Sequence, residues 1–432
     1  MRRDILIVAL GVLTAQTLRP ATADVSSVPE PDLVWSGELR ERFEANDAAG
    51  FGLSDSGNDD YFLHRVRLAA DWRSSGNIRV FGEAISGSTS GWSAEPAAVQ
   101  SNGLDLLQGF VDVSGKVAGG RLVARAGRQE ISLGASRLVS IRESANVRRA
   151  FDGVRVIWTS AVGTRVDAFV TQPVVPEPGA WDDRGTPGQR LWGVDATLAP
   201  RPLGGIKLET YYLGWKRNAA RFRGITAREL RHSVGSRLFG QVGPADWNVE
   251  AAFQWGRFGS ERIRAWTTSL DVGYALGNLP LSPRLGLKAD VISGDRNPRD
   301  GRLQTFNPLF PRLPYFSEAN LATPANLVDI QPNLTLQVSR SVTATLSWNN
   351  LWKFARQDAF YVPPLTARSG TAPTYSLYVG QQYGIALAWQ AARTLQVGAT
   401  VVRFHPGAVV REAGGRSGKF VAAWVQYHFS SD

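Results

Sequence analysis

The sequence predicts an all-β chain that closes into a transmembrane, antiparallel, up-and-down β-barrel of about 18 strands. Three observations lead there. Segments of period-two hydrophobicity recur along the chain, the charges within them keep to one face, and the connectors between them alternate short and long. A strand in a barrel wall points successive side chains to lipid and to the lumen. A barrel with trimmed turns on one rim and elaborated loops on the other produces the connector pattern.

The first residues read separately. Met1-Arg-Arg-Asp is a basic start, Ile5 to Ala15 is an apolar stretch too short to span a bilayer as a helix, and Ala21-Thr-Ala23 supplies small residues for cleavage. Residues 1–23 are therefore expected to be a signal peptide, with 24–432 forming a single barrel domain. Its removal takes away three arginines and one aspartate, which lowers the formal charge of +10 by two and leaves the chain basic.

The expected strands are 33–44, 61–72, 78–86, 104–114, 121–129, 151–158, 164–172, 189–198, 205–215, 229–241, 247–257, 263–276, 283–293, 326–337, 342–354, 375–391, 395–404 and 417–429. The segment 247–257 shows the pattern best: Trp247, Val249, Ala251, Phe253 and Trp255 alternate with Asn248, Glu250, Ala252 and Gln254. Its tryptophans lie about as far apart as the two interfaces of a tilted strand of roughly 9 to 11 residues. In 61–72, Val66, Leu68, Ala70 and Trp72 oppose Arg65, Arg67, Ala69 and Asp71. In 283–293, Leu285, Leu287, Ala289 and Val291 oppose Arg284, Gly286, Lys288 and Asp290. A Lys or Arg on the lipid face near the midplane costs about 2 to 4 kcal/mol, which accounts for this segregation. The final strand alternates Val421, Ala423, Val425, Tyr427 and Phe429, as the terminal strand of an outer-membrane protein does.

Counted from an N-terminus on the periplasmic side, gaps such as 74–77, 161–163 and 277–282 become periplasmic turns. The segment after residue 128 and the Pro-rich stretch 294–325 become outer loops. The 44 glycines, 14 tryptophans and 10 tyrosines suit tight turns and aromatic girdles. With no cysteine there is no disulfide or thiolate site, and no metal or cofactor is expected. Asp295, Asn297 and Asp300 offer oxygen ligands, but the spacing lacks the closing glutamate of a calcium loop. Catalysis has little support. The 4 histidines stand outside any Gly-x-Ser-x-Gly or His-Glu-x-x-His context, no phosphate-cradling Gly-Lys-Ser/Thr loop occurs, and a barrel lipase is a remote alternative.

From Gly127 the chain reads Gly-Arg-Gln-Glu-Ile-Ser-Leu-Gly-Ala-Ser-Arg-Leu-Val, followed by Asn146-Val-Arg-Arg-Ala-Phe-Asp-Gly-Val-Arg155. Further on come Phe306-Asn-Pro-Leu-Phe-Pro, Trp352-Lys-Phe-Ala-Arg-Gln-Asp-Ala-Phe-Tyr361 and Phe404-His-Pro-Gly407. These blocks resemble the alginate export family of outer-membrane porins. The resemblance implies a Gram-negative outer-membrane location and a passive pore for export of an acidic, alginate-like polysaccharide. A general or anion-preferring porin for small acids or oligosaccharides is the alternative. Expected partners are outer-membrane lipid and lipopolysaccharide, an anionic solute, and periplasmic polymer-synthesis or export proteins; nucleic acid is not among them.

Pores select by the charges on their walls. Candidate lumen-facing bases are Arg40, Arg65, Arg67, Arg125, Arg155, Arg237 and Lys288, and arginine suits uronate carboxylates because its planar fork binds them bidentately. Acids such as Glu38, Glu83, Asp112, Asp167, Glu209 and Glu250 share those faces, so cross-strand pairing is the competing use. The segment 128–149 concentrates Arg128, Arg137, Arg142, Arg148 and Arg149 against Glu130 and Glu143. It could fold inward as a basic constriction or remain outside as a loop that meets lipopolysaccharide phosphates. Tyr211 is a candidate sugar-stacking residue.

Overall fold

A computed structural model describes residues 32–53, 59–74, 76–93, 95–198 and 205–431; the expected signal peptide lies outside them. The chain is a closed 18-strand antiparallel barrel. In order the strands are β1 (Asp32–Asp47), β2 (Asp59–Arg73), β3 (Ile78–Ser90), β4 (Asn102–Val117), β5 (Gly120–Gln129), β6 (Phe151–Ser160), β7 (Arg165–Val175), β8 (Gln189–Leu198) and β9 (Lys207–Phe222). They continue with β10 (Ile225–Val242), β11 (Ala245–Phe258), β12 (Glu261–Ala275), β13 (Arg284–Ile292), β14 (Leu327–Gln337), β15 (Val342–Lys353), β16 (Tyr378–Ala392), β17 (Leu395–Pro406) and β18 (Gly418–Ser430). Each pairs with the next, and β18 returns to β1 with Tyr427 opposite Leu39, so no sheet edge is left open.

Side chains alternate as a wall between lipid and lumen requires. On β11, Val249, Phe253 and Trp255 are exposed, while Glu250 and Gln254 are buried. On β1, Trp35 and Leu39 face out while Glu38, Arg40 and Arg42 are buried. Exposed Trp35, Trp72 and Trp389 lie toward one rim and Trp255 and Trp266 toward the other, as interfacial aromatics do.

The rim at which β1 begins and β18 ends has tight turns. At Ala118-Gly119 both residues take positive φ (50° and 71°), the geometry a two-residue hairpin needs to match strand twist. The opposite rim carries the long segments 130–150, 176–188, 293–326 and 354–377. Within them lie only short pieces: Arg184–Gly185 pairs with β7, Arg302–Leu303 runs beside β12, and Tyr361–Val362 pairs with Thr366–Ala367. A short helix, Ala408–Glu412, follows β17.

Two connections at the long-loop rim correct the sequence reading. β9 runs to Phe222 rather than 215 and β10 begins at Ile225 rather than 229, leaving only Arg223-Gly224, again at positive φ (50° and 79°). The register slips between Arg217 and Ala220, and this bulge interrupts the two-residue period that marks a strand. Gly259-Ser260 likewise joins β11 to β12 with no loop.

The main apolar core lies inside the barrel. Phe51, Ile131, Leu133, Leu138, Val139, Phe306, Phe316, Leu321 and Phe360, all from the long-loop rim, cluster with wall residues such as Leu213, Trp215 and Phe404. That burial draws the loops into the lumen.

Candidate pore constriction

The site is built from two of these loops. At one end of 130–150, Asn146 is fully buried and its amide nitrogen donates to the backbone oxygens of His64 (2.9 Å) and Ser88 (3.1 Å). Arg40 of β1 donates to the carbonyls of Glu143 (2.9 Å) and Ala145 (3.1 Å). Arg65 of β2 reaches Glu143 Oε1 at 2.6 Å and the Glu143 and Ala145 carbonyls at 3.1 and 3.2 Å. At the other end, Arg137 donates to Glu250 (2.8 Å) and Asn248 (3.2 Å) on β11. In a ring of this strand number β2 and β11 stand on opposite walls, so the segment bridges the lumen. Near that wall Gly134 has φ 52° and lies so close to the Glu209 carboxylate that a side chain there would collide with it.

The segment 293–326 comes from β13 and crosses toward β1 and β16. Tyr315 bonds Asp290, Gln331 donates to the Phe316 carbonyl, Ser317 donates to Gln382, and Arg42 donates to Glu318 at 2.9 Å. The expectation of an outer loop here is thereby corrected: its phenylalanines and leucines bury apolar surface that water would not solvate. The two crossings meet backbone to backbone. Phe310 N donates to Leu138 O and Arg312 N to Ser136 O, both at 2.8 Å, and Ser144 Oγ reaches Leu313 O at 2.6 Å. A small cavity of about 10 Å³ lies where they meet the wall, lined by Arg137, Leu138, Glu250, Phe306 and Tyr315.

Most predicted bases find an acid. Arg65 bonds Glu38 at 2.6 Å and Arg67 bridges Glu38 (2.9 Å) and Glu83 (2.6 Å). Arg125 pairs with Asp112 (2.7 Å), Arg128 with Asp152 (2.8 Å), Arg155 with Asp167 (2.7 Å) and Arg237 with Glu209. Arg148 lies 2.8 Å from Glu130 and 3.1 Å from Glu143, and Lys288 reaches Asp271 only at 4.0 Å. Three do not follow. Arg40, Arg142 and Arg149 contact oxygens of the loop itself, Arg142 at the Val147 carbonyl (3.2 Å) and Arg149 at that of Ser140 (3.2 Å), with Arg149 also over the Phe310 ring. No carboxylate among the described residues forms a salt bridge with any of them. Tyr211 is buried and donates to Glu250 at 2.7 Å, which ties it to the wall.

The loop carboxylates titrate in opposite senses. Burial pushes Glu130 up from its usual 4.5 to about 7, against the opposing pull of Arg148 and Arg67. Burial acts the same way on Glu143, but Arg148, Arg65 and Arg67 outweigh it and bring that carboxyl down to about 2. Glu130, raised on folding, favours the folded state below about 4.5 and loses that contribution as pH climbs to about 7. Glu143, lowered on folding, contributes above about 4.5 and loses its contribution as pH falls toward 2. Glu130→Gln is therefore expected to flatten the change in urea midpoint between pH 5 and pH 8 in lipid-reconstituted protein. An undiminished pH slope in the variant would count against this assignment.

Asn146 and the second crossing were absent from the candidates read in sequence. Their signal was composition: Ile131, Leu133, Leu138, Val139, Phe306, Phe310 and Phe316 are too apolar for loops bathed in water.

The sequence profile of the alginate export family matches residues 33–424. The chain belongs to the alginate export family. Solved structures share its fold at low identity. OccK8 (OprE) of Pseudomonas aeruginosa superposes with a TM-score of 0.62 at 12% identity, covering 93% of this chain and 99% of that one. OpdO of the same organism gives 0.63 at 11%, covering 93% and 98%, and Acinetobacter baumannii OccAB1 gives 0.60 at 10%, covering 93% and 97%. No curated protein sequence matches the chain. Family and fold together make this alginate export family member a passive outer-membrane channel.

Proposed function

We propose that the channel passes an acidic, alginate-like polysaccharide outward, and that Arg142 and Arg149 offer the transient carboxylate contacts. The observation that carries this reading is that, among the described residues, no carboxylate forms a salt bridge with either of them at the lumen crossing. Burial pulls Arg142 down to about 10, and burial with the neighbouring Arg142 charge lowers Arg149 well below its ordinary value. Guanidinium stays protonated in proteins, so these shifts express an environment short of negative charge. A uronate would supply it. The paired bases of the wall brace the barrel, and a carboxylate entering beside them must compete with an existing acid.

In this reading the turn rim faces the periplasm and the loop rim the exterior, where lipopolysaccharide surrounds it. Polymer delivered by periplasmic synthesis or export proteins enters from the turn side. Export relies on the segment 1–23, cleaved near Ala23, which mass spectrometry of the mature N-terminus would test. Planar-bilayer recording with added oligouronates and neutral oligosaccharides tests selectivity. Oligouronate is expected to block current at lower concentration, and Arg142→Gln with Arg149→Gln to weaken that block about tenfold, the loss of roughly one charge-assisted hydrogen bond. Equal block by both sugars would remove the acidic polymer. The narrow fit between the two crossings favours a second reading, uptake of small acids; a structural neighbour, OpdK, was crystallised with vanillate. Permeation of small acids through the unaltered barrel, with no oligouronate block, would decide for it.

A further inference from the structure

A second polar cluster lies at the loop rim, away from the lumen crossing. Asp105, near the start of β4, meets Asp182 and Asp183 of the 176–188 segment, with one carboxylate oxygen from each lying within 4.8 Å of the others. The backbones approach closely here: Gly103 N donates to Gly179 O (2.9 Å) and Trp181 N to Leu104 O (3.0 Å). A side chain on Gly103 would run into the Gly179 carbonyl.

The acids are short of partners. Asp105 is 1% exposed, and its Oδ1 accepts a long bond from Asp183 N (3.3 Å) while its Oδ2 is buried without a hydrogen-bond partner. Asp182 Oδ1 is also buried and unpaired. Asp183 is better served, its Oδ1 accepting from Glu177 N (2.7 Å) and from Nδ2 of Asn102 (3.0 Å), but Asn102, itself 4% exposed, has an Oδ1 that lacks a donor. The nearest arginine does not resolve this. Arg128 holds Asp152 through Nε and Nη2 (2.8 and 3.1 Å) and gives its other contacts to the Leu106 and Asp183 carbonyls. No lysine or arginine among the described residues forms a salt bridge with the three acids.

A buried oxygen without a donor costs free energy comparable to a lost hydrogen bond, and two of the three clustered acids carry one, with another on Asn102, whose side chain bonds Asp183. A cation would satisfy them together. Oxygens bound to one calcium at about 2.3 to 2.6 Å can be no more than about 5 Å apart, a limit this cluster meets. Every side-chain donor is an oxygen, with no imidazole or thiolate, which selects a hard ion. The donors come from an irregular loop and a strand start, an arrangement that tolerates the flexible coordination of calcium better than the strict octahedron of magnesium.

We infer that Asp105, Asp182 and Asp183, with Asn102 Oδ1, form a calcium site that fastens the 176–188 loop to β4. Water completes the shell. The ion is a structural clasp on the exterior loops and takes no part in the lumen selectivity proposed above.

The test uses full-length barrel refolded in detergent, free of lipopolysaccharide and stripped with chelator. Terbium is titrated with excitation of tryptophan, Trp181 being adjacent to Asp182 in sequence, and calcium and magnesium are then used as competitors. One terbium per barrel is expected, displaced by calcium at far lower concentration than magnesium. Asp182→Asn and Asp105→Asn are each expected to weaken calcium binding, followed by calorimetry, by about tenfold or more. Trp181→Phe should dim the emission and leave calorimetric calcium binding intact. Because Asp105 is buried, cleavage of the 176–188 loop by protease is followed in Asp182→Asn as well: calcium should protect the parent and not the variant. The proposal is overturned by no calcium binding, by equal affinity for magnesium, or by unchanged binding in both aspartate variants.

Discussion

Replacing residues 130–150 with a short Gly-Ser linker is expected to raise single-channel conductance several-fold. The deletion is geometrically clean. Gln129 and Phe151 are directly paired across β5 and β6, so their backbones stand about 5 Å apart and three or four residues rejoin them. What leaves is the bridge from β2 to β11 and its share of the apolar core. An 18-strand ring without such a bridge encloses a water-filled channel. Arg40 and Arg65 lose their loop acceptors, but they would then face water, which solvates guanidinium well. Planar-bilayer recording of the deletion beside the parent measures the effect. Unchanged conductance would mean that the segment 293–326 alone sets the resistance, and a matching deletion there identifies it.

Arg65→Leu is expected to destabilise the barrel by about 3 to 5 kcal/mol, the usual cost of stripping one partner from a buried ion pair. Arg65 is 1% exposed, and its guanidinium holds Glu38, Glu143 and two loop carbonyls at once. Leucine leaves those acceptors buried. Arg67 continues to hold Glu38 and Arg148 continues to hold Glu143, which keeps the estimate from running higher. Glu143→Gln should cost less, since its side chain is 24% exposed and glutamine still accepts a hydrogen bond. Urea unfolding in phospholipid vesicles gives both values. A loss below about 1 kcal/mol for Arg65→Leu would show that water reaches this side chain after all.

The strands were legible because lipid enforces the pattern from outside. Val249, Phe253 and Trp255 must be apolar and Glu250 must face in, and no tertiary partner is needed to read that. The end of β9 was hidden, since the bulge at Arg217–Ala220 shifts the period and Arg223-Gly224 turns with an arginine where asparagine or glycine is customary. Which wall arginines neighbour acids was partly legible: Arg125 and Asp112 face each other directly in register. Contacts such as Arg65 with Glu143 or Arg42 with Glu318 join residues remote in sequence, and no periodicity encodes them. The second crossing was misread because proline-rich composition was taken as loop and therefore exterior. Its aromatic content carried the opposite message, that the segment needed an interior to lie in.

The backbone contact of Leu138 and Ser136 with Phe310 and Arg312 bears on how such a passage opens. Each strap completes the hydrogen bonding of the other, and both bury phenylalanine and leucine in one shared cluster. Withdrawing either alone strands polar groups and wets apolar surface on its neighbour, so half-open arrangements are disfavoured relative to both extremes. Current through a single barrel should accordingly change in abrupt jumps between discrete levels, with dwell times that lengthen together when either strap is strengthened.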